Sequence, residues 1–290
     1  MNTVWSDYVQ GIKTLYCSRK LRFDDMFREQ FERLFDLDSS QKLKILEVGC
    51  GPGALAEALH RWYPQAEITG VDRDSAFVRF AAEQVKGVAF LEGDATALPF
   101  EDHTFDVTIS NTVAEHIEPS KFYKEQLRVL KPGGVCLVLS SRRGIHVEAA
   151  CMEKGDYEQQ FWKKVEKYDD SMERYAVCRY PMSETEMPLA MEKYGFRDIH
   201  TGFTTIDLTP DHPRFPAEMA HEMINASRYT ALEALESVSR TMPEYVTAEE
   251  IEWMKCLTNE KYDTRIEQYC RGEKQWDTTV SVIMVLRGKR

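Results

Sequence analysis

From residue 43 onward, short apolar runs alternate with stretches of helical periodicity. LKILEV (43–48), EITGVD (67–72), VAFLEG (88–93), FDVTIS (105–110) and VCLVLS (135–140) are strand-like. Helices are expected after Gly53, after Ser75, after Asn111 and across 120–130. Alternation of this kind specifies a mostly parallel sheet with helices on both faces. The nearly unbroken apolar character of the strands fits burial on both sides.

The flanks read differently. Residues 1–40 look helical, and Phe23, Phe27, Phe31 and Phe35 recur every four residues, a stripe that buries one helix face. Tyr8, Tyr16 and Arg22 lie off that stripe and are candidates to line a substrate site. After Ser141 the regularity weakens. The box Ser183-Glu184-Thr185-Glu186 starts a helix that ends near Gly195, and 196–208 follows as a strand. Pro210, Pro213 and Pro216 then break the chain. Residues 217–272 predict two or three helices, one opened by Thr247-x-x-Glu250 and closed by Gly272, before a last strand at 277–286. The pattern divides the chain into an N-terminal helical cap (1–40), an α/β core (41–209 with 273–290) and a helical insertion (210–272). Met223, Ser227, Ala231, Leu235 and Val238 stand at helical spacing in the insertion, which predicts one buried face there.

Composition narrows the class. Of 290 residues, 43% are apolar and 29% charged, which is ordinary for a folded chain. No run approaches the ~20 apolar residues of a membrane span, and the first residues lack a secretory pattern. Seven cysteines without a CxxC pair point away from a disulfide framework or zinc knuckle. A soluble, cytoplasmic protein is expected. With 37 basic and 48 acidic side chains the net charge is −11, so neither nucleic acid nor a membrane is expected as partner.

The chemistry concentrates at Glu47-Val48-Gly49-Cys50-Gly51-Pro52-Gly53, which follows a strand and precedes a helix. Glycines there permit a tight turn and let a ligand approach the backbone. Asp72 ends the next strand, 23 residues after Gly49, where a carboxylate can accept from both hydroxyls of a ribose. These features alone also fit a loose dinucleotide fingerprint. Asp94 after the third strand, Asp106 and Asn111 bounding the fourth, and the turn Leu130-Lys131-Pro132-Gly133-Gly134 break the tie. With EVGCGPG, GVDRD, EGDA, FDVTISN and LKPGG together, the sequence resembles the class I S-adenosylmethionine-dependent methyltransferases, particularly those acting on small molecules.

That resemblance implies a Rossmann-like, seven-stranded, mostly parallel sheet, with N-terminal helices and a helical insertion before the last strand. It implies S-adenosyl-L-methionine as cofactor. Glu47, Gly49 and Gly51 would surround its methionine part, and Asn111 would face the same end. Asp72 would hold the ribose, with Arg73 beside the adenine and Asp94 and Ala95 at the adenine edge. With one face of the insertion to bury, 210–272 and the N-terminal helices are expected to form a lid over the methyl end of the cofactor. The acceptor would be a nitrogen or oxygen of a small molecule. A base is needed only where the acceptor carries a proton that must leave. His116, just past the fourth strand, is the candidate. Glu115-His116 also resembles a pair found in metal-using methyltransferases, but Thr112 stands where those carry a further Glu, so no metal is expected. No NPPY- or DPPY-type run follows the fourth strand, against nucleic-acid amino-methylation. A homodimer is compatible with the helical insertion. The competing readings are a cofactor-binding protein without transfer activity, in a regulatory or assembly role, and a nicotinamide-dependent oxidoreductase.

Overall fold

The computed structural model describes residues 4–169 and 171–290. Seven strands form one sheet in the order β3-β2-β1-β4-β5-β7-β6. They are β1 (Lys44–Val48), β2 (Glu67–Asp72), β3 (Ala89–Glu92), β4 (Phe105–Asn111), β5 (Leu130–Val147), β6 (Arg197–Leu208) and β7 (Thr278–Lys289). The first five run parallel, while β7 is antiparallel to both β5 and β6, so the sheet is mixed. The chain turns outward in opposite directions from the adjacent strands β1 and β4. A crevice opens at such a reversal, beyond the carboxyl ends of the strands.

The parallel half follows the apolar runs closely, with helices α3 (Ala54–Trp62), α4 (Ser75–Gln84) and α5 (Pro119–Val129) between strands. The antiparallel half runs longer than the hydrophobic runs, because β5 and β7 stay paired out to Val147 and Thr278 as a ribbon beyond the packed layers. Ladder hydrogen bonds sustain that extension where Ile145 and Val147 are exposed. The LKPGG segment is an excursion within β5: Phe105 pairs with Leu130, and pairing resumes at Val107 with Val135. Expected as a helix, the segment after Asn111 is instead a single 3₁₀ turn, Ala114–His116, because Thr112 takes a left-handed φ of 54°.

At the N-terminus one expected helix is several pieces: a π-helical turn (Trp5–Val9), α1 (Ile12–Arg22), a 3₁₀ turn (Asp25–Phe27) and α2 (Arg28–Phe35). Asp24 breaks the run by accepting from Met26 N–H, and such local caps compete with helix continuation. The phenylalanines are buried all the same. Phe31 packs on Phe23, Phe35 and Trp62 with ring centroids 5.2, 5.7 and 5.8 Å apart, which fastens the cap to α3.

Three further helices complete the central chain: α6 (Asp156–Tyr168), α7 (Ser171–Arg174) and α8 (Glu186–Lys193). Between β6 and β7 lie α9 (Ala217–Thr241) and α10 (Ala248–Cys270). The Thr247 capping box forms, and Gly272 takes φ 75° just past the end of α10. The first half of α9 joins the main core through Met219, Met223 and Ala226. Ser227, expected on the buried face, is exposed. Its second half forms a separate apolar cluster with α6 and α10, around Phe161, Val165, Leu235, Val238, Ile251 and Met254. Arg265, fully buried, ties α10 to the loops by pairing with Asp211 at 2.9 Å and Asp277 at 2.6 Å.

Candidate functional site

The carboxyl ends of β1, β2 and β4 open into a cavity of about 680 Å³. The turn 49–53 forms its floor. Gly49 and Cys50 donate to the Val71 carbonyl, which pins the turn to the end of β2. Gly49 (φ 72°) has no room for a side chain, since a Cβ would stand 2.5 Å from Val113 Cγ2. Gly51 (φ 52°) is different: an added Cβ would meet only Leu15, at 3.4 Å, so its surroundings are open to a ligand while its backbone disfavours any L side chain.

Asp72 receives Gly51 N–H on Oδ2 and Asp74 N–H on Oδ1, each at 2.8 Å. Burial pushes its carboxyl up, and the two N–H donors pull against that. Glu47 is fully buried within β1. Burial first, then the charge of Asp72, hold its carboxyl well above the usual range. Glu47 Oε2 and Asn111 Oδ1 are both buried acceptors without a donor among the described residues. Unpaired buried polar atoms are costly, so two of them beside one cavity mark a place where a donor belongs. Asp94 is more exposed, and its Oδ1 is taken by Thr96 N–H and hydroxyl, both at 2.8 Å. Glu47, Gly49, Gly51, Asp72, Arg73, Asp94, Ala95 and Asn111 all line the cavity.

The expected substrate residues do not. On α1 the cavity touches Leu15, Arg19 and then Phe23, positions four apart on one face. Tyr16 is rotated off that face. Its hydroxyl donates to Glu57 at 2.9 Å, and burial with that carboxylate raises it to about 12. Tyr8 stacks on Tyr175 (5.3 Å), which does line the cavity, but Tyr8 itself does not. Arg22 is outside the lining, with a buried Nη1 lacking a partner among the described residues. Arg19 and Trp5 are the residues that sequence reasoning passed over. The Leu15-Arg19-Phe23 spacing was the available signal.

No residue of 210–272 lines the cavity. The cover is instead the Trp5–Val9 turn and the strap 175–180. Ser6 N–H and hydroxyl bind Asp74, at 2.8 and 3.0 Å, tying the turn to the α4 cap. Trp5 meets His116 edge-on at 4.6 Å. The strap is held by Tyr180 N–H on the Glu115 carbonyl and by Cys178 N–H on His116 Nδ1, at 2.8 and 2.9 Å. Ala176 and Cys178 both take left-handed φ, a strained path of the kind found at functional segments. Of the segments expected to roof the site, the N-terminal helices line the cavity and 210–272 does not; α9 packs behind them, against α1 and the Trp5–Val9 turn.

His116 lines the cavity, and its tautomer follows from the strap. Nδ1 accepts from Cys178, so in the neutral ring the proton sits on Nε2. Burial, reinforced by Arg73, lowers the imidazole to about 4. Near neutrality the ring therefore offers a donor while the strap is in place, whereas a general base must offer an acceptor.

Residues 46–138 match the family model described as a methyltransferase domain. A fatty-acid O-methyltransferase of Mycolicibacterium smegmatis is 39% identical over 103 residues, 34% of this chain and 37% of that protein. A phthiotriol/phenolphthiotriol dimycocerosates methyltransferase of Mycobacterium tuberculosis is 40% identical over 95 residues, 31% of this chain and 35% of its own length. The chain thus spans well under half the length of these relatives. Among solved structures, phosphoethanolamine N-methyltransferase 2 of Haemonchus contortus superposes with a TM-score of 0.52 at 16% identity, over 99% of this chain and 59% of that one. The [4+2]-cyclase SpnF gives 0.50 at 19% identity, covering 92% and 80%. These likenesses establish the fold, and the second shows that it also carries a chemistry other than methyl transfer.

Proposed function

We propose, from the premise that this chain carries a class I S-adenosylmethionine-dependent methyltransferase domain, that it transfers a methyl group to a small acceptor held under its N-terminal cap. The observation carrying this reading is the pair of orphaned acceptors, Glu47 Oε2 and Asn111 Oδ1, beside the glycine turn. Glu47 Oε2 and Asn111 Oδ1 would accept from the ammonium of a bound methionine moiety, the donor they lack here. Asp72 stands where a ribose would meet its free lone pairs, and Arg73, Asp94 and Ala95 line the part of the cavity left for adenine. A volume of about 680 Å³ lies within the range of small-molecule sites.

When bound, S-adenosylmethionine supplies an activated methyl on a sulfonium. The chain's own contribution is binding, orientation and exclusion of water. Gly51 and Asp72 fix the nucleoside end through one shared hydrogen bond. Trp5, Tyr175 and Tyr180 close the acceptor side and keep water from the reacting atoms, so that positioning supplies much of the acceleration. His116 acts as a positioning residue: it holds the strap through Nδ1 and presents Nε2–H to the cavity. The helices α9 and α10 act as a brace behind the cap.

Two measurements test this. Calorimetry of the whole chain with S-adenosylhomocysteine, S-adenosylmethionine and NAD should show binding of the first two only; binding of NAD alone would overturn the cofactor. Incubation with methyl-labelled S-adenosylmethionine and a metabolite panel should then label an acceptor. Tight cofactor binding with no labelled product would favour the cofactor-binding reading, which the absence of a free base at His116 makes specific.

A further inference from the structure

The cavity holds a guanidinium with no ion pair among the described residues, and its unpartnered carboxylate oxygen, Glu47 Oε2, is the acceptor assigned above to the cofactor's ammonium. Arg19 reaches in from α1, and its Nη2 donates to Thr112 Oγ1 at 3.2 Å. The Thr112 hydroxyl donates to the Asn111 carbonyl at 2.7 Å, which leaves a lone pair for the arginine and fixes its direction. Arg22 follows one turn later, partly buried and without a carboxylate partner among the described residues. Burial lowers Arg19 to about 10 and pushes Arg22 well down, with Arg19's charge adding to the latter effect. Glu115 acts on Arg19 only at longer range, and burial pushes its own carboxyl up. Two neighbouring cations in a partly desolvated place without a counter-ion are unfavourable unless a ligand brings one.

Apart from Glu47, assigned above to the cofactor, the candidate bases are engaged. His116 has Nδ1 occupied and its proton on Nε2. Glu118 accepts from Ser120 and pairs with Lys121, Asp94 caps Thr96, and Asp72 holds Gly51 and Asp74. Apolar groups make up much of the rest of the acceptor side, Trp5, Val9, Leu15, Val113, Ile117 and Val177, with Gln10, Tyr175, Arg179 and Tyr180 as the polar groups among them.

We infer that the acceptor is an organic carboxylate on an apolar body, its head seated at Arg19 with Arg22 behind it. This deepens the methyl-transfer reading and rests on it. A carboxylate arrives deprotonated, so no base is required. Its oxygen bonds to the methyl carbon, and the carbon–sulfur bond breaks with its electron pair left on sulfur. A cation and an anion become a neutral ester and a neutral thioether, and no proton is released. Loss of opposite charges is favoured where water is excluded. The cofactor has a carboxylate of its own, which accounts for one anion; Arg19 and Arg179, both in the lining, leave place for a second.

The test counts protons. The whole protein is given S-adenosylmethionine with dodecanoate, benzoate, dodecylamine, dodecyl phosphate or a phenol in weak buffer with a pH indicator. The expected product is a methyl ester that alkali cleaves, formed with no proton released per turnover, whereas an amine or phenol releases one. Arg19→Gln should raise the KM for the acid about tenfold or more, with the dissociation constant of S-adenosylhomocysteine changed less than about threefold. Arg19→Lys keeps the charge, restores part of the loss and covers the case where Arg19→Gln misfolds. The inference is overturned if only amines, phenols or phosphates are methylated. It is also overturned if no acid binds the S-adenosylhomocysteine complex, or if Arg19→Gln loses the cofactor while the acid's KM holds. Failure of S-adenosylhomocysteine to bind the native protein would overturn the methyl-transfer reading itself.

Discussion

The floor of the cavity and its cover are built in different ways. The floor, from Glu47 through Asn111, sits at strand ends inside 46–138, the segment that matches the methyltransferase-domain family model. Its parts are fixed by the sheet register: Glu47 lies opposite Gly70 on β2 and Ile109 on β4. The cover, formed by the Trp5–Val9 turn, the inner face of α1 and the strap 175–180, lies outside that segment. Local contacts fasten the turn and the strap: Ser6 to Asp74, Trp5 on His116, Cys178 to His116, Tyr180 to Glu115, and Tyr8 on Tyr175. A rigid shared floor suits an unchanging cofactor, and a separately attached cover is where acceptor choice can vary.

The sharpest way to break this division is at Asp72. Asp72→Ala should weaken S-adenosylhomocysteine binding by about a hundredfold or more, since charge-assisted hydrogen bonds contribute ~1.5–3 kcal/mol each. An unchanged dissociation constant by calorimetry would remove the ribose assignment. Gly51→Ala should also weaken S-adenosylhomocysteine binding, since its methyl enters the space open to the ligand, and an unchanged dissociation constant would remove the turn from the cofactor site.

Phe31→Ala separates the regions by stability. Its ring is wholly buried between Phe23, Phe35 and Trp62, and its loss should destabilise the chain by ~3–5 kcal/mol. Chemical denaturation gives the value, and a loss below ~1 kcal/mol would mean that the cap is not fastened through this stripe.

Acid should loosen the cover before the floor. The folded His116 titrates near about 4, below the ordinary 6.5, so its stabilising contribution is full above 6.5 and falls away as pH drops toward 4. The bond from Cys178 N–H is lost with the same proton. The stability gap between the native chain and His116→Gln, measured in urea, should be wider at about pH 7 than at about pH 4.5. An equal gap at both would contradict the assigned tautomer.

Tyr16→Phe should have the smallest effect, because Tyr16 bonds Glu57 away from the cavity. Cofactor affinity and acceptor KM should each stay within about twofold, and a loss greater than tenfold would return Tyr16 to the site.

These outcomes bear on what a sequence reveals. The floor residues were legible because strand-end position follows from hydrophobic runs and glycine placement, both local signals. Leu15, Arg19 and Phe23 were not separated from Tyr16 and Arg22, because helix phase has to be set by a partner surface before one face is known. The strap was invisible for a different reason. Residues 175–180 belong to no regular element, and their course depends on two left-handed residues and a distant histidine. The β5–β7 ribbon outran its hydrophobic run because pairing alone sustains it.

Hydrogen exchange of the whole chain with and without S-adenosylhomocysteine tests the central claim most directly. Exchange should slow at 47–53, 70–74 and 93–97 on the floor and, in the same titration, at 5–23 and 175–180 on the cover. Slowing absent from the glycine turn, or present at 248–270 and absent from 5–23, would contradict a cofactor held between this floor and this cover.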